Sequence, residues 1–352
     1  MLTWASETQM VVLVGAFGGI LLGLAARMGR FCTLGAIEDL LYGGSDTRMR
    51  MWALAIGTAI IGSFSLMGSG LLNASDTIYL SIRWLPSASI IGGLMFGYGM
   101  ALSGNCSYGA LARLGGGDLR SFVIVLVMGL SAYLVLAGPL APLRDFLFNQ
   151  TAVTNETPPG LAQHAAALTG LPVSGIGIGI GIVFVIGAIS SAKLREDRRA
   201  MFWSVVVGLA IVSGWAGTQW VFSTGFDGLP VVSHSFSAPV GETLLYAMTG
   251  SARSASFAVG SVGGVLLGAF IGSLIKGHFR WEACDDPREL RRQITGASIM
   301  GAGAVIALGC TVGQGLSAFS VLAVSAPVTF LAIFAGAALG LRQLIEGFSV
   351  IE

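Results

Sequence analysis

The sequence predicts an all-α integral membrane protein built as two inverted halves, and three observations carry that prediction. Only 11% of the residues are charged while 54% are hydrophobic, and mean hydropathy is +0.80; a globular domain usually carries about 25% charged residues. A glycine-flanked cysteine motif returns, without a gap, 204 residues further on: Gly92, Gly97, Gly99, Cys106 and Gly109 fall on Gly296, Gly301, Gly303, Cys310 and Gly313. The basic residues, finally, collect in alternate loops. Repeat and charge together describe one structural unit used twice.

Nine stretches are apolar for about the 20 residues that a crossing helix needs. They lie near 10–28, 51–72, 86–104, 121–140, 174–192, 201–222, 255–275, 294–309 and 326–344. Four further segments are too apolar for loops and too short to cross: Thr33–Tyr42, Ser107–Leu114, Val240–Gly250 and Thr311–Val324. Re-entrant half-helices fit them. The 142–173 stretch, with Pro158, Pro159 and Gly160, reads as a solvated linker. With 52 glycines, the chain has small residues enough for close helix approach and for helix breaks. The alternate glycines of Gly175–Gly181 are too apolar to cradle phosphate and form a packing surface.

Charge fixes the orientation. Loops after odd-numbered spans hold 16 of the 19 Lys and Arg, and loops on the other side hold 3. By the positive-inside rule the odd-side loops are cytoplasmic, the N-terminus is outside and the C-terminus is inside. The third span then runs inward and the eighth outward, so Cys106 and Cys310 arrive from opposite sides. The expected organisation is one membrane transport domain over 1–352, with inverted halves at about 10–140 and 201–344 and a linker helix at about 174–192. An inverted repeat with broken helices is a transporter or channel architecture, with its pathway where the breaks meet. No polar segment is long enough to fold alone, the acidic start Met1–Glu7 does not read as a signal peptide, and a net charge of +1 gives no reason to expect a nucleic-acid partner. Membrane lipids are the expected surroundings.

The candidate chemistry belongs to thiols. One buried cysteine is ordinarily a small packing residue; two at symmetric, glycine-flanked breaks point to a site. A half-helix beginning at Cys106 or Cys310 offers unpaired N–H groups and the positive end of a dipole, which suit an anion. Gly104, Gly109, Gly309 and Gly313 flank the two breaks, and Ser107, Tyr108, Thr311 and Gln314 add neutral donors. Thiols favour a soft, sulfur-bearing ligand. Cys32 follows Arg27 and Arg30 just past the first span; the arginines are either positive-inside anchors or collectors of a departing anion. In the second half Phe236, between Ser235 and Ser237, stands where Cys32 stands in the first. Cys284, in a charged loop, reads as an incidental thiol. Four cysteines with no Cys-x-x-Cys pair argue against a zinc site or a disulfide framework, and no metal and no cofactor are expected. Glu38 and Asp39 lie in the first short helix; Glu242, in its counterpart, either carries a coupling proton or stabilises that helix's first turn. His164, His234 and His278, at loops and ends, receive no role, and Asp118 and Arg120 read as loop residues.

Arg30-Phe31-Cys32 after the first span, the Gly104–Gly109 cysteine motif and Gly309-Cys310-Thr311-Val312-Gly313-Gln314-Gly315 together resemble the YeeE/YedE family of bacterial thiosulfate importers. The likeness covers about 10–345. It implies an hourglass of inverted repeats in the bacterial inner membrane, functional roles for Cys32, Cys106 and Cys310, and a TusA-like sulfur-carrier protein as cytoplasmic partner. Asn105 and Leu308 stand where the family often has glycine. On this reading the chain is not an enzyme: thiosulfate or a close sulfur oxyanion meets Cys310, then Cys106, then Cys32 and the inner arginines, in a non-covalent relay. Carriage of another sulfur or selenium compound is the nearest alternative. A membrane thiol–disulfide electron carrier is a rival of another class, marked by a Cys106–Cys310 bridge; a soft-metal transporter lacks the ligand cluster a cation needs.

Overall fold

The computed structural model describes residues 6–149, 160–283 and 286–347. Cys284, Pro158 and Pro159 lie outside the described residues. The first half comprises α1 (Glu7–Met28), α2 (Thr33–Leu41), α3 (Thr47–Gly68), α4 (Ile78–Ser81), α5 (Pro86–Ser103), α6 (Ser107–Gly115), α7 (Leu119–Leu136) and α8 (Ala141–Leu147). Linking helices follow: α9 (Leu161–Thr169), α10 (Val173–Ile189) and α11 (Ala192–Glu196). The second half comprises α12 (Arg198–Thr224), α13 (Ser237–Thr249), α14 (Phe257–Ile275), α15 (Pro287–Ile306), a π-helical turn (Gly313–Ala318) and α16 (Ser325–Glu346). Among the described residues extended pairing is confined to isolated bridges.

Each of the nine expected spans has its helix, but the count of helices able to cross on length and apolarity is smaller. Among the described residues six qualify, the first being α1 and α2 taken together as Glu7–Leu41, and the α9–α10 pair, bent by 118°, would make seven. The physical reasons are local. α10 has 17 residues, α5 is diluted by glycine and serine, and α15 opens on the charged run Pro287–Arg292. The described parts of the 142–173 stretch, 142–149 and 160–173, are more ordered than a solvated linker. They contain α8 and α9, and the Leu161 N–H donates to Leu322 O at 2.8 Å, tying α9 to the far end of the π-helical segment. Asp118 is a cap rather than a loop residue: its carboxylate accepts from Arg120 N at 2.9 Å and Ser121 Oγ at 3.0 Å, starting α7.

Helix packing reproduces the repeat. Exchange α1 with α12, α2 with α13, α3 with α14, α5 with α15, α6 with the π-helical turn, and α7 with α16. The packed pairs α1·α14, α5·α16, α7·α13, α6·α14 and α6·α7 then become α12·α3, α15·α7, α16·α2, the turn on α3, and the turn on α16, all of which are observed. The halves are inverted, because α5 crosses α15 antiparallel. Gly92 lies against Gly303 and Gly99 against Gly296, the two contacts being images of each other. A Cβ at any of these four positions would meet partner backbone at 2.5–2.8 Å, so only glycine permits this approach. Relative helix directions follow the same odd–even order: α1 runs parallel to α14 and α5 to α16, whereas α3 runs antiparallel to α10 and α1 to α12. Only two of the four alternate glycines of α10 pack: Gly177 on Phe64 and Gly181 on Ile61, while Gly179 faces open space. The core at the centre of this arrangement includes Trp52, Phe96, Tyr108, Trp215 and Phe236, all buried.

Candidate functional site: three thiols where four short helices begin

The four short helices begin at equivalent points. α2, α6 and α13 have Cys32, Cys106 and Phe236 as their N-caps, and the helical turn from Thr311 starts directly after Cys310. In each, the carbonyl of that residue accepts the first helical bond: from Ala36 at 3.1 Å, Ala110 at 2.8 Å, Val240 at 3.2 Å and Gln314 at 2.8 Å. Sulfur takes the place that a serine oxygen usually fills at a cap. Gly109 N donates to Cys106 Sγ at 3.2 Å, and Gly313 N to Cys310 Sγ at 3.4 Å. The breaks that precede the two caps are equivalent too. Gly104 ends α5 at φ +74°, and Leu308, 204 positions later, holds φ +57°, a conformation that costs a non-glycine residue about 1–2 kcal/mol.

A vestibule of about 430 Å³ leads to Cys310 from one face. It is built from the start of α1, the segment around Tyr79, the end of α7, the start of α13, the loop before α14 and the end of α15, and it is the face opposite the basic loops. Ser235, Leu308 and Gly309 line it, and Ser235 Oγ lies 3.7 Å from Cys310 Sγ. Phe236 N donates to the same sulfur at 3.3 Å, so Cys310 rests among three neutral donors. The charged side chains on the wall are Arg144 and Glu242. Glu242 therefore faces the vestibule, and it is not in the first turn of α13.

Beyond Cys310 the interior is closed. Phe236 packs against Tyr108 in a tilted pair with ring centroids 5.5 Å apart, both fully buried. Ser237, on the vestibule wall, donates through Oγ to Ser107 Oγ at 3.0 Å, joining the two halves across this plug. The Cys106 thiol is buried beside the Cys32 thiol and the Thr311 hydroxyl, without a hydrogen bond of good geometry to the hydroxyl. All three thiols are free, and Cys32 is partly exposed. The thiols brought together are thus Cys32 and Cys106.

The structure redistributes several expected roles. Gln314 is fully occupied in bracing the break: Nε2 donates to Ala307 O at 2.9 Å and Leu308 O at 3.2 Å, and Oε1 accepts from Ser325 Oγ at 3.3 Å. The Tyr108 hydroxyl donates to the Leu22 carbonyl, so it anchors α6 rather than offering a donor to the pathway. Arg30, at φ +55°, is exposed and stands near Lys276, whose pKa is lowered by burial and by the neighbouring Arg199, Arg30 and Arg27. The charges acting on Cys32 are instead Arg113, from the last turn of α6, and Arg48, which pairs with Asp39 at 3.2 Å. His234 is a buried brace, its Nδ1 2.7 Å from Ser261 Oγ. Arg48 and Arg113 carry no signal in the sequence because neither adjoins Cys32, on which their charges act, along the chain. Ser235 and Ser237 stand 204 positions after Phe31 and Thr33, the neighbours of Cys32.

These features define a membrane protein of broken, inverted helices around buried thiols, and the family match agrees. Residues 28–339 match the family model described as Sulphur transport, and the chain belongs to that family. Among its relatives is a protein named thiosulfate transporter TsuA from Escherichia coli (strain K12), 27% identical over 324 residues, which covers 87% of each chain. A second TsuA, from Spirochaeta thermophila, is 23% identical over 90% of this chain and 93% of its own. A probable transporter YedE of Escherichia coli is 28% identical over 116 residues, 32% of this chain and 27% of its own.

Proposed function

We propose that the protein carries thiosulfate, or a closely related sulfur oxyanion, across a bacterial inner membrane into the cytoplasm, leaving the cargo chemically unchanged. The observation that carries the reading is that Cys310, Cys106 and Cys32 each stand at the start of a short helix, Cys310 beside a vestibule opposite the basic loops and Cys106 next to Cys32. The positive-inside rule makes that vestibule the outer entrance, with the N-terminus outside and the C-terminus in the cytoplasm. The anion enters past Arg144, meets Cys310, crosses the Phe236–Tyr108 plug when it opens, and passes Cys106 and Cys32 toward Arg113 and Arg48. Helix N-termini and neutral S–H and O–H donors hold it at the buried stations. Neutral donors let a dianion leave again, where a buried arginine would retain it. The names of the two long relatives support the choice of thiosulfate. A TusA-like sulfur carrier receiving the cargo at the inner face is part of this reading, checked by co-purification from membranes. Growth on thiosulfate as sole sulfur source tests the transport step. Cys106→Ala and Cys310→Ala, expressed at wild-type levels, should abolish growth, and normal growth of both eliminates the relay. Competition of labelled thiosulfate uptake by sulfite, sulfate and selenium analogues fixes the substrate.

A further inference from the structure

We infer that Thr33 and Thr311 are a pair of substrate-specificity residues, whose hydroxyls bind the oxygen end of a sulfur oxyanion while its soft sulfur end lies against Cys106 and Cys32. This rests on the function proposed above. The argument begins with the accounting of buried hydroxyls. Threonines inside the helices, Thr329 excepted, satisfy themselves on the carbonyl four residues back, as Thr58 does on Leu54, Thr218 on Gly214, Thr243 on Pro239 and Thr249 on Leu245, all at 2.7–2.8 Å. A residue at the first position of a helix has no such helical carbonyl. Four hydroxyl residues occupy that position at the site: Thr33, Ser107, Ser237 and Thr311.

Ser107 and Ser237 solve the problem by bonding each other at 3.0 Å. The exchange of halves carries Ser107 onto Thr311 and Ser237 onto Thr33, so the threonines are the image of that bonded pair. They are 1% and 0% exposed, yet neither Oγ1 has a hydrogen-bond partner of good geometry. A buried hydroxyl left open is costly and calls for an explanation. The position supplies one, because Thr311 adjoins the Cys106 thiol and Thr33 follows Cys32 directly. Two hard donors beside two soft thiols match an anion with an oxygen end and a sulfur end. Sulfate, which has oxygen alone, can use only half of such a station.

The test uses the full chain in proteoliposomes with labelled thiosulfate, comparing Thr33→Val and Thr311→Val with Thr33→Ser and Thr311→Ser. Each valine variant should raise KM about 10- to 100-fold, the equivalent of one lost hydrogen bond to a charged group, and the serine variants should restore it. Thiosulfate should protect Cys106 from maleimide in the wild type and the serine variants, and less in Thr311→Val. Thermal stability separates this role from a structural one. Removing an open hydroxyl should leave stability equal or higher, whereas loss of a structural hydrogen bond would lower it. Valine variants with wild-type KM and protection overturn the assignment of the threonines alone. Wild-type protein that neither takes up thiosulfate nor is protected by it overturns the proposed function, and this inference with it.

Discussion

Gly99→Ala puts a methyl group into the crossing of α5 and α15 and measures what holds the halves together. The added Cβ would sit 2.5 Å from both Gly296 O and Met300 N, against an ordinary contact of 3.4–4 Å. Both atoms are backbone, so no side chain can rotate away, and the helices must separate by roughly 1 Å. Overpacking of this kind costs about 1–3 kcal/mol, offset by about 1 kcal/mol from the better helix propensity of alanine. Gly179→Ala, on α10, is the control: its Cβ meets nothing within 4 Å, so only the propensity gain remains. Gly296→Ala enters the same crossing from the other side, at 2.6 Å from Ser103 N. Once one methyl has parted the helices, the second should cost less, and the double variant should fall short of additivity. Equilibrium unfolding in mixed detergent micelles reads these differences, and labelled uptake reports whether the shifted crossing disturbs Cys106. If Gly99→Ala is as stable as Gly179→Ala, the close crossing does not hold the two halves, and the inverted packing described here is wrong.

Other expectations follow from the same geometry. Gly104→Ala should cost about 1–2 kcal/mol although nothing lies within 4 Å of its Cβ, because φ is +74°; thermal shift against Gly179→Ala isolates that backbone term. Arg144→Gln should slow uptake at subsaturating substrate and flatten its dependence on ionic strength, since Arg144 is the cation on the vestibule wall; an unchanged salt dependence would remove it from the entry route. Arg113→Gln should lower the maximal rate while leaving protection of Cys310 by external substrate intact, because its charge acts at Cys32. Ser235→Ala removes a hydroxyl 3.7 Å from Cys310 Sγ and should weaken entry at the vestibule floor, seen as a raised KM.

Much of this architecture was legible in the chain because the repeat has no gap. Cys106 and Cys310 announced two breaks, and loop charge gave their opposed directions, which the antiparallel Gly99–Gly296 contact reproduces. The span count was less legible, because α5 and α15 gain from packing on each other what they lack in apolar length. The meeting of Cys32 with Cys106 could not be read from sequence, since it depends on α2 folding back to the start of α6. Nor could the occupation of Gln314 and Tyr108, each a plausible donor until its carbonyl partner is placed. Composition advertises donor capacity; only geometry says whether the capacity is already taken.

The repetition of one packing pattern in the two halves has a consequence for direction. A perfectly symmetric hourglass could not distinguish its ends, so any polarity must reside where the copies differ. Near the axis those places include Phe236 against Cys32, Ser235 against Phe31, Leu308 against Gly104, Val312 against Tyr108, Gln314 against Ala110, and Thr33 and Thr311 against their bonded serine images. One end greets the traveller with hydroxyls and an aromatic plug, the other with a thiol under two guanidinium groups. Vectorial behaviour in this molecule is thus a property of the side chains at which the two copies differ, and reversing it means exchanging them.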